Sequence, residues 1–170
     1  MKKHLPSSYF EGIQLARDNT DIRIPEFEEL HRLLRMNSFS PSLNPSRYYI
    51  VDYIQKKYLY LDPSCATYLG YRREYIQDAG PLFYTSLWNK KDFKIYNDDI
   101  FPESLKFLKQ HRSDDHNRLF INLNYRIKDR SGNHLTLLQR STVITSQDGF
   151  PLLSIGMVSN MNSHLTGNRM

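Results

Sequence analysis

Residues 121–128 constrain the fold most. Ile121, Leu123, Tyr125 and Ile127 alternate with Asn122, Asn124, Arg126 and Lys128. Successive side chains of a strand point to opposite faces, so this stretch is a strand with one apolar and one polar face. Asp129-Arg130-Ser131-Gly132-Asn133 supplies turn residues, and His134 to Ile144 reads as the return strand. Gln147-Asp148-Gly149 marks a second turn, and Leu152 to Val158 a third strand. Two consecutive hairpins make an antiparallel meander.

Upstream, Tyr48 to Gln55 and Tyr58 to Leu61 are strand-like, with Lys56-Lys57 as a hairpin connection. Asp62 suits a helix N-cap with Pro63 at the first helical position, and Leu69-Gly70 suits its end. A second short helix is predicted over Arg72 to Asp78, ending at Ala79-Gly80-Pro81. From Lys91 to Gln110 the apolar spacing is helical, with Pro102 predicting either a kink or a restart. The order strand, strand, helices, strand, strand, strand predicts an α+β fold. Helices 62–69, 72–78 and about 91–110 should cover one face of a five-stranded antiparallel sheet.

The first 36 residues read as an N-terminal helical extension. Phe27, Leu30, Leu33 and Leu34 form a stripe at helical spacing after Pro25. That stripe must bury itself, on its own domain or on a second copy, and the expectation here is a homodimer through these four residues. Residues 37–47, rich in Ser and Pro, read as a linker.

Composition sets limits on function. No run of about 18 apolar residues occurs, so no membrane span is expected. Cys65 is the single cysteine, which points to a reducing cytoplasm. The net charge of +5 comes as single basic residues and pairs such as Lys56-Lys57, Arg72-Arg73 and Lys90-Lys91. Nucleic-acid binding needs charge gathered on one face, so a solvated surface is the reading. The 12 Tyr and 9 Phe suggest edges, pocket walls or interfaces, because a Tyr ring is apolar while its hydroxyl stays polar.

Three further features carry a resemblance. Tyr60-Leu61-Asp62, followed by Tyr68-Leu69-Gly70-Tyr71 and Arg73-Glu74-Tyr75, is similar to the opening pattern of the PAS domain family. Tyr125 to Gly132 resembles that family's central hairpin, and Gly149-Phe150-Pro151-Leu152 to Gly156-Met157-Val158 its last strand. The resemblance covers residues 48–162 and implies a PAS domain. A narrower one, at 100–109, Leu138-Gln139-Arg140-Ser141 and 151–156, resembles the PAS domain preceding a LuxR-type helix-turn-helix in bacterial transcription regulators. It implies a non-catalytic sensory and dimerisation domain, with residues 163–170 leading toward an output absent from this chain and DNA contacted only through that output. The alternative is the sensor module of a signalling enzyme such as a sensor histidine kinase. Many members end the last strand with Asp-Ile-Thr to couple core to output; here Asn160, Met161 and Asn162 stand there, so Asn160 and Asn162 are the candidate output residues.

No phosphate loop, nucleophile elbow or zinc spacing is present. Cys65 lies in Pro-Ser-Cys-Ala-Thr rather than a flavin-binding motif, and reads as a small buried hydrophobe. His111 and His116 have polar neighbours, unlike a haem wall. The pairs Asp98-Asp99 and Asp114-Asp115 read as solvated acids. No cofactor is expected, although a small-molecule ligand fits the class. If Ile127 faces Leu135, then Tyr125 faces Leu137 and Leu123 faces Gln139. Gln139 then lies on the apolar face with Leu123 and Tyr125, and its amide needs a neighbouring side chain or a ligand. These three are the candidate ligand-binding residues. Arg140 falls on the opposite face, expected in water.

Overall fold

The computed structural model describes residues 7–9, 11, 47–111, 119–146 and 149–162. The chain enters its sheet at β1 (Arg47–Asp52) and turns back through β2 (Lys57–Leu61), an antiparallel pair. The first strand therefore stops at Asp52, short of the expected Gln55, and Tyr53 to Lys56 make the turn. The cause is local. The Asp52 carboxylate accepts the Gln55 N–H at 2.9 Å, and Lys56 takes a left-handed φ of 56°. An Asp that captures a nearby backbone N–H competes with the ladder.

Helix α1 (Pro63–Thr67) begins as its residues demand. The Asp62 side chain accepts the Ser64 N–H at 2.8 Å, and Pro63 needs no N–H partner in the first turn. Helix α2 (Arg73–Ser86) runs past the predicted end at Asp78, but the glycine signal is real. Gly80 leaves helical geometry at φ 76° and ψ −176°, and the helix resumes at Pro81. A Cβ at Gly80 would also lie 2.8 Å from the Lys56 carbonyl oxygen, so the kink lets α2 approach the β1–β2 turn.

The third helical stretch divides into α3 (Lys90–Ile95), a π turn over Tyr96–Ile100, and α4 (Phe101–Lys109). Asn89 caps α3 by accepting the Lys91 N–H at 3.0 Å. Pro102 explains the widened turn. In a regular helix its ring would clash with the carbonyl of Asp98. The Phe101 N–H instead donates to Tyr96 O, five residues back, and α4 restarts with Pro102 in its first turn.

The last third is β3 (Ile121–Lys128), β4 (His134–Thr145) and β5 (Pro151–Asn160). The sheet order is β2-β1-β5-β4-β3, antiparallel throughout. The hairpin register is the expected one, with Ile127 opposite Leu135, Tyr125 opposite Leu137 and Leu123 opposite Gln139. Its turn closes through the Asp129 carboxylate, which accepts the Asn133 N–H at 2.8 Å, with Gly132 at φ 86°.

The main core joins one face of this sheet to the helices. Val51, Leu123, Tyr125, Ile127, Leu137 and Val158 meet Leu69, Ile76 and Trp88 there. The opposite face carries a smaller cluster of Ile50, Leu153 and Ile155, so β5, the middle strand, is buried from Pro151 through Ser159. The stripe Phe27, Leu30, Leu33 and Leu34, linker residues 37–46, the tail 163–170, His116 and Asp114-Asp115 all lie outside the described residues.

Candidate functional site

A cavity of about 50 Å³ lies between the sheet and the helices. The sheet side contributes Tyr49, Gln139, Ser154 and Val158, and the helical side Cys65, Tyr84, Trp88 and Tyr96. No Asp, Glu, Lys, Arg or His lines it.

A chain of polar groups runs from the helical side into the sheet wall. Tyr125 donates its hydroxyl hydrogen to Gln139 Oε1 at 3.1 Å, and Gln139 Nε2 donates to Ser141 Oγ at 3.4 Å. Tyr84 lies 3.0 Å from the Tyr125 hydroxyl, and Tyr68 lies 3.2 Å from that of Tyr84. A phenol has one hydrogen to give. Since Tyr125 gives its hydrogen to Gln139, Tyr84 must donate to Tyr125, and Tyr68 to Tyr84. The run therefore has one direction, from Tyr68 to Ser141. Chains of aligned bonds reinforce each other where water is excluded.

These groups stay neutral. Burial pushes the phenols of Tyr84 and Tyr125 well above their ordinary range. Burial also raises Tyr49 to about 12, with hydrogen bonds to Ser154 and Ser141 opposing it. The Tyr49 ring reaches them by lying on its cross-strand partner Gly156, where a Cβ would sit 2.5 Å from the ring. Burial raises the Cys65 thiol to about 12, as suits a small buried side chain rather than a nucleophile.

The helical wall is aromatic. Trp88 stacks on Tyr125 with centroids 3.6 Å apart and planes 11° apart. Backbone bonds hold it in place: Asn89 N–H donates to Arg126 O at 2.8 Å and Lys128 N–H to Leu87 O at 2.9 Å. Its own indole Nε1 is buried and has no acceptor. An unmet buried donor costs about 1–3 kcal/mol and calls for an explanation.

Tyr9, far upstream of β1, completes this wall. Its ring meets Phe101 at 5.1 Å and 87°, Tyr53 at 6.1 Å and 75°, and Phe93 at 6.5 Å and 87°. Tyr96 lies 5.4 Å away. The π turn helps, because its wide loop brings Tyr96 and Phe101 to the same side, with ring centroids 5.9 Å apart. Tyr9 is 5% exposed, and the Ser8 hydroxyl accepts the Glu11 N–H at 3.1 Å beside it.

Of the three ligand candidates from sequence, Gln139 lines the cavity. Its amide finds neighbouring side chains, Tyr125 and Ser141. Tyr125 stands behind it, and Leu123 packs in the core nearby. Asn160 accepts the Asn162 N–H at 3.0 Å, and Asn162 Oδ1 accepts the Thr136 N–H at 2.8 Å. Asn162 Nδ2 also donates to His134 O at 3.2 Å, which ties the chain leaving β5 to the start of β4. Arg140 is not in open water. It is half-buried, with its guanidinium 4.4 Å over the Phe120 ring. His111 is exposed at the end of α4, its Nδ1 2.8 Å from Phe107 O. Asp98 pairs with Lys94 on the surface.

The sequence reading missed Tyr9, Tyr49, Trp88 and Tyr96. Its one relevant signal was the tyrosine surplus, which suggested pocket walls without placing them. Among the described residues, no three His, Cys, Asp or Glu side chains gather as a metal site, and no helix is long and apolar enough to cross a membrane.

No family model and no curated protein matches the sequence. Solved structures do match the fold. A domain from a protein described as a light and redox sensing histidine kinase of Haloarcula marismortui aligns at TM-score 0.52 and 8% identity, over 77% of this chain and 98% of that one. The N-terminal domain of a diguanylate cyclase with PAS/PAC sensor from Marinobacter aquaeolei aligns at TM-score 0.50 and 12% identity, over 71% and 98%. A sensory box histidine kinase/response regulator from Burkholderia thailandensis aligns at TM-score 0.50 and 18% identity, over 71% and 79%. The chain is thus an α+β domain whose helical block, inserted between the second and third strands, encloses a cavity against an antiparallel sheet. That is the PAS fold, as the resemblance at Tyr60 to Tyr75 and in the β3–β4 hairpin implies.

Proposed function

We propose that this chain is a sensory PAS domain of a bacterial signalling protein, non-catalytic in itself. Its cavity takes up a small molecule, and the segment leaving β5 passes the change to an output. The observation that carries this is the cavity, with Gln139 on its sheet side bonded to Tyr125 and Ser141 and an unmet Trp88 indole N–H on its helical side. Saturated polar walls suit a core alone, whereas an orphan donor suits an incoming partner. Asn160 and Asn162, which join β5's exit to β4, are the output residues.

The output we favour is a LuxR-type helix-turn-helix, supported by the resemblance at 100–109, 138–141 and 151–156. DNA would be contacted only through it. Homodimerisation through Phe27, Leu30, Leu33 and Leu34, and a cytoplasmic location, belong to the same proposal. A sensor histidine kinase or cyclase is the second reading, favoured by the proteins from which the matching structures come. Mass spectrometry and absorbance of the purified protein, before and after denaturation, test the sensory reading. A colourless protein that releases a small organic molecule supports it. A stoichiometric haem or flavin band contradicts the cofactor-free form of it.

A further inference from the structure

Two features of the cavity define what it accepts, granted the reading of it as a ligand site. The first is the unmet Trp88 Nε1, whose residue lines the cavity and is 6% exposed. A partner for it must bring an acceptor. The second is the setting of Tyr9. Phe101, Tyr53 and Phe93 present edges to or receive edges from its ring, and Tyr96 tilts against it. Edge-to-face packing on several sides is a receptor for a planar ring. The receptor is filled by a side chain from a segment remote in sequence from the sheet.

Volume then decides how a guest enters. The free space is about 50 Å³, enough for a few water molecules. A benzene-sized guest needs roughly 150 Å³. No arene fits beside the Tyr9 ring; one fits in its place. Charge narrows the class further, because no ionised group lines the cavity to balance an anion or cation.

We propose that the ligand is a small uncharged arene bearing an oxygen acceptor, which displaces the Tyr9 ring and accepts a hydrogen bond from Trp88 Nε1. Occupancy thereby detaches the chain at Tyr9 from α3, the π turn and α4, converting binding into a backbone change. Tyr9 acts as the built-in competitor that sets the threshold for the signal.

The probes are p-cresol, which is the tyrosine side chain without its backbone, toluene, which lacks the acceptor, and benzoate, which carries charge. Each is titrated at neutral pH into the full chain and into Tyr9→Ala. The truncated protein should bind p-cresol at least about tenfold more tightly than the unaltered one. Toluene should bind more weakly than p-cresol, and Trp88→Phe should abolish that difference; benzoate should not bind. Equal p-cresol affinity with and without the Tyr9 ring, or benzoate binding as tightly as p-cresol, overturns the proposal. The unaltered chain gives a second readout that needs no variant. Saturating p-cresol should speed hydrogen exchange at Tyr9 and Glu11 while leaving the β3–β4 hairpin unchanged, and unchanged exchange at Tyr9 overturns displacement. A non-aromatic molecule released from the purified protein would overturn this ligand class while leaving the cavity a ligand site. Failure of every probe in both proteins, with nothing released, would overturn both.

Discussion

The two walls of the cavity are built on opposite rules. The sheet wall is regular. β3 pairs with β4 in continuous register from Ile121 to Lys128, β4 pairs with β5 with one register shift at Ile144–Thr145, and their polar groups are joined from Tyr125 through Gln139 to Ser141. The helical wall is broken at Gly80 and widened at Tyr96–Ile100, and it leaves the Trp88 indole N–H without an acceptor. A regular ladder resists local change, whereas interrupted helices have fewer backbone bonds to lose. The contrast suggests a fixed template on one side and the responsive part on the other, and each substitution below tests one wall or the seam between them.

The largest effect is expected at the break in the helical wall. Gly80→Ala forces a side chain into a backbone region that is nearly glycine-only, with its Cβ against the Lys56 carbonyl. The cost should be at least about 2–3 kcal/mol, read as a lowered denaturant midpoint. A neutral result would mean that α2 does not depend on that kink.

Tyr125→Phe tests the sheet wall. It removes the hydroxyl that links Tyr84 to Gln139, leaving a buried amide oxygen and a buried phenol hydrogen without their partners. The expected loss is about 1–3 kcal/mol, at the upper end if no water enters to replace the hydroxyl. Equilibrium unfolding reads it. A change within error would show that the run from Tyr68 to Ser141 contributes nothing.

The smallest effect is expected where the walls are stitched together on the outside. Asp92 of α3 accepts from Arg126 of β3 through Nε at 2.9 Å, through another guanidinium nitrogen at 2.6 Å, and through the backbone N–H at 2.9 Å. The Arg126 side-chain hydrogen bond is the main reason the Asp92 carboxyl titrates below its ordinary range. A carboxyl depressed in the folded state stabilises above its unfolded pKa of about 3.9, and that contribution is lost as pH falls through the folded value. Asp92→Asn should therefore weaken the protein slightly at neutral pH and flatten the acid limb of its stability profile. The pair faces solvent, so the neutral-pH change should be the least of the three. An unchanged acid limb would remove Asp92 from the account.

How legible each wall was follows from the same contrast. The period-two pattern at 121–128 and the turn at Asp129–Asn133 specify the hairpin register, because a one-residue slip would turn Leu123 and Tyr125 to the wrong face. Gln139 could thus be placed on the inner face, and its need for a partner follows from burial alone. The helical wall was legible only as punctuation. Gly80 and Pro102 announce breaks, yet helical spacing does not say that the first break ends in a resumed helix, or that the second takes the form of a π turn. Tyr9 was invisible as a wall residue, since nothing local links position 9 to Phe101. Arg140 lies opposite Asn122 as the register implies, but its half-burial was not legible, because burial by a neighbouring ring such as Phe120 is a tertiary event that strand periodicity does not encode.

If the cavity is a ligand site, Trp88 reports on it directly. It is the one tryptophan of the chain, lies on the cavity wall and stacks on Tyr125. Its emission should be followed while small uncharged molecules are titrated into the full chain and into Val158→Leu, which adds one methylene to the sheet wall of the cavity. A ligand site gives a saturable change for at least one compound, and a markedly weaker affinity for that compound in the filled variant. Emission that no compound alters, or a response of equal affinity in both proteins, would contradict it.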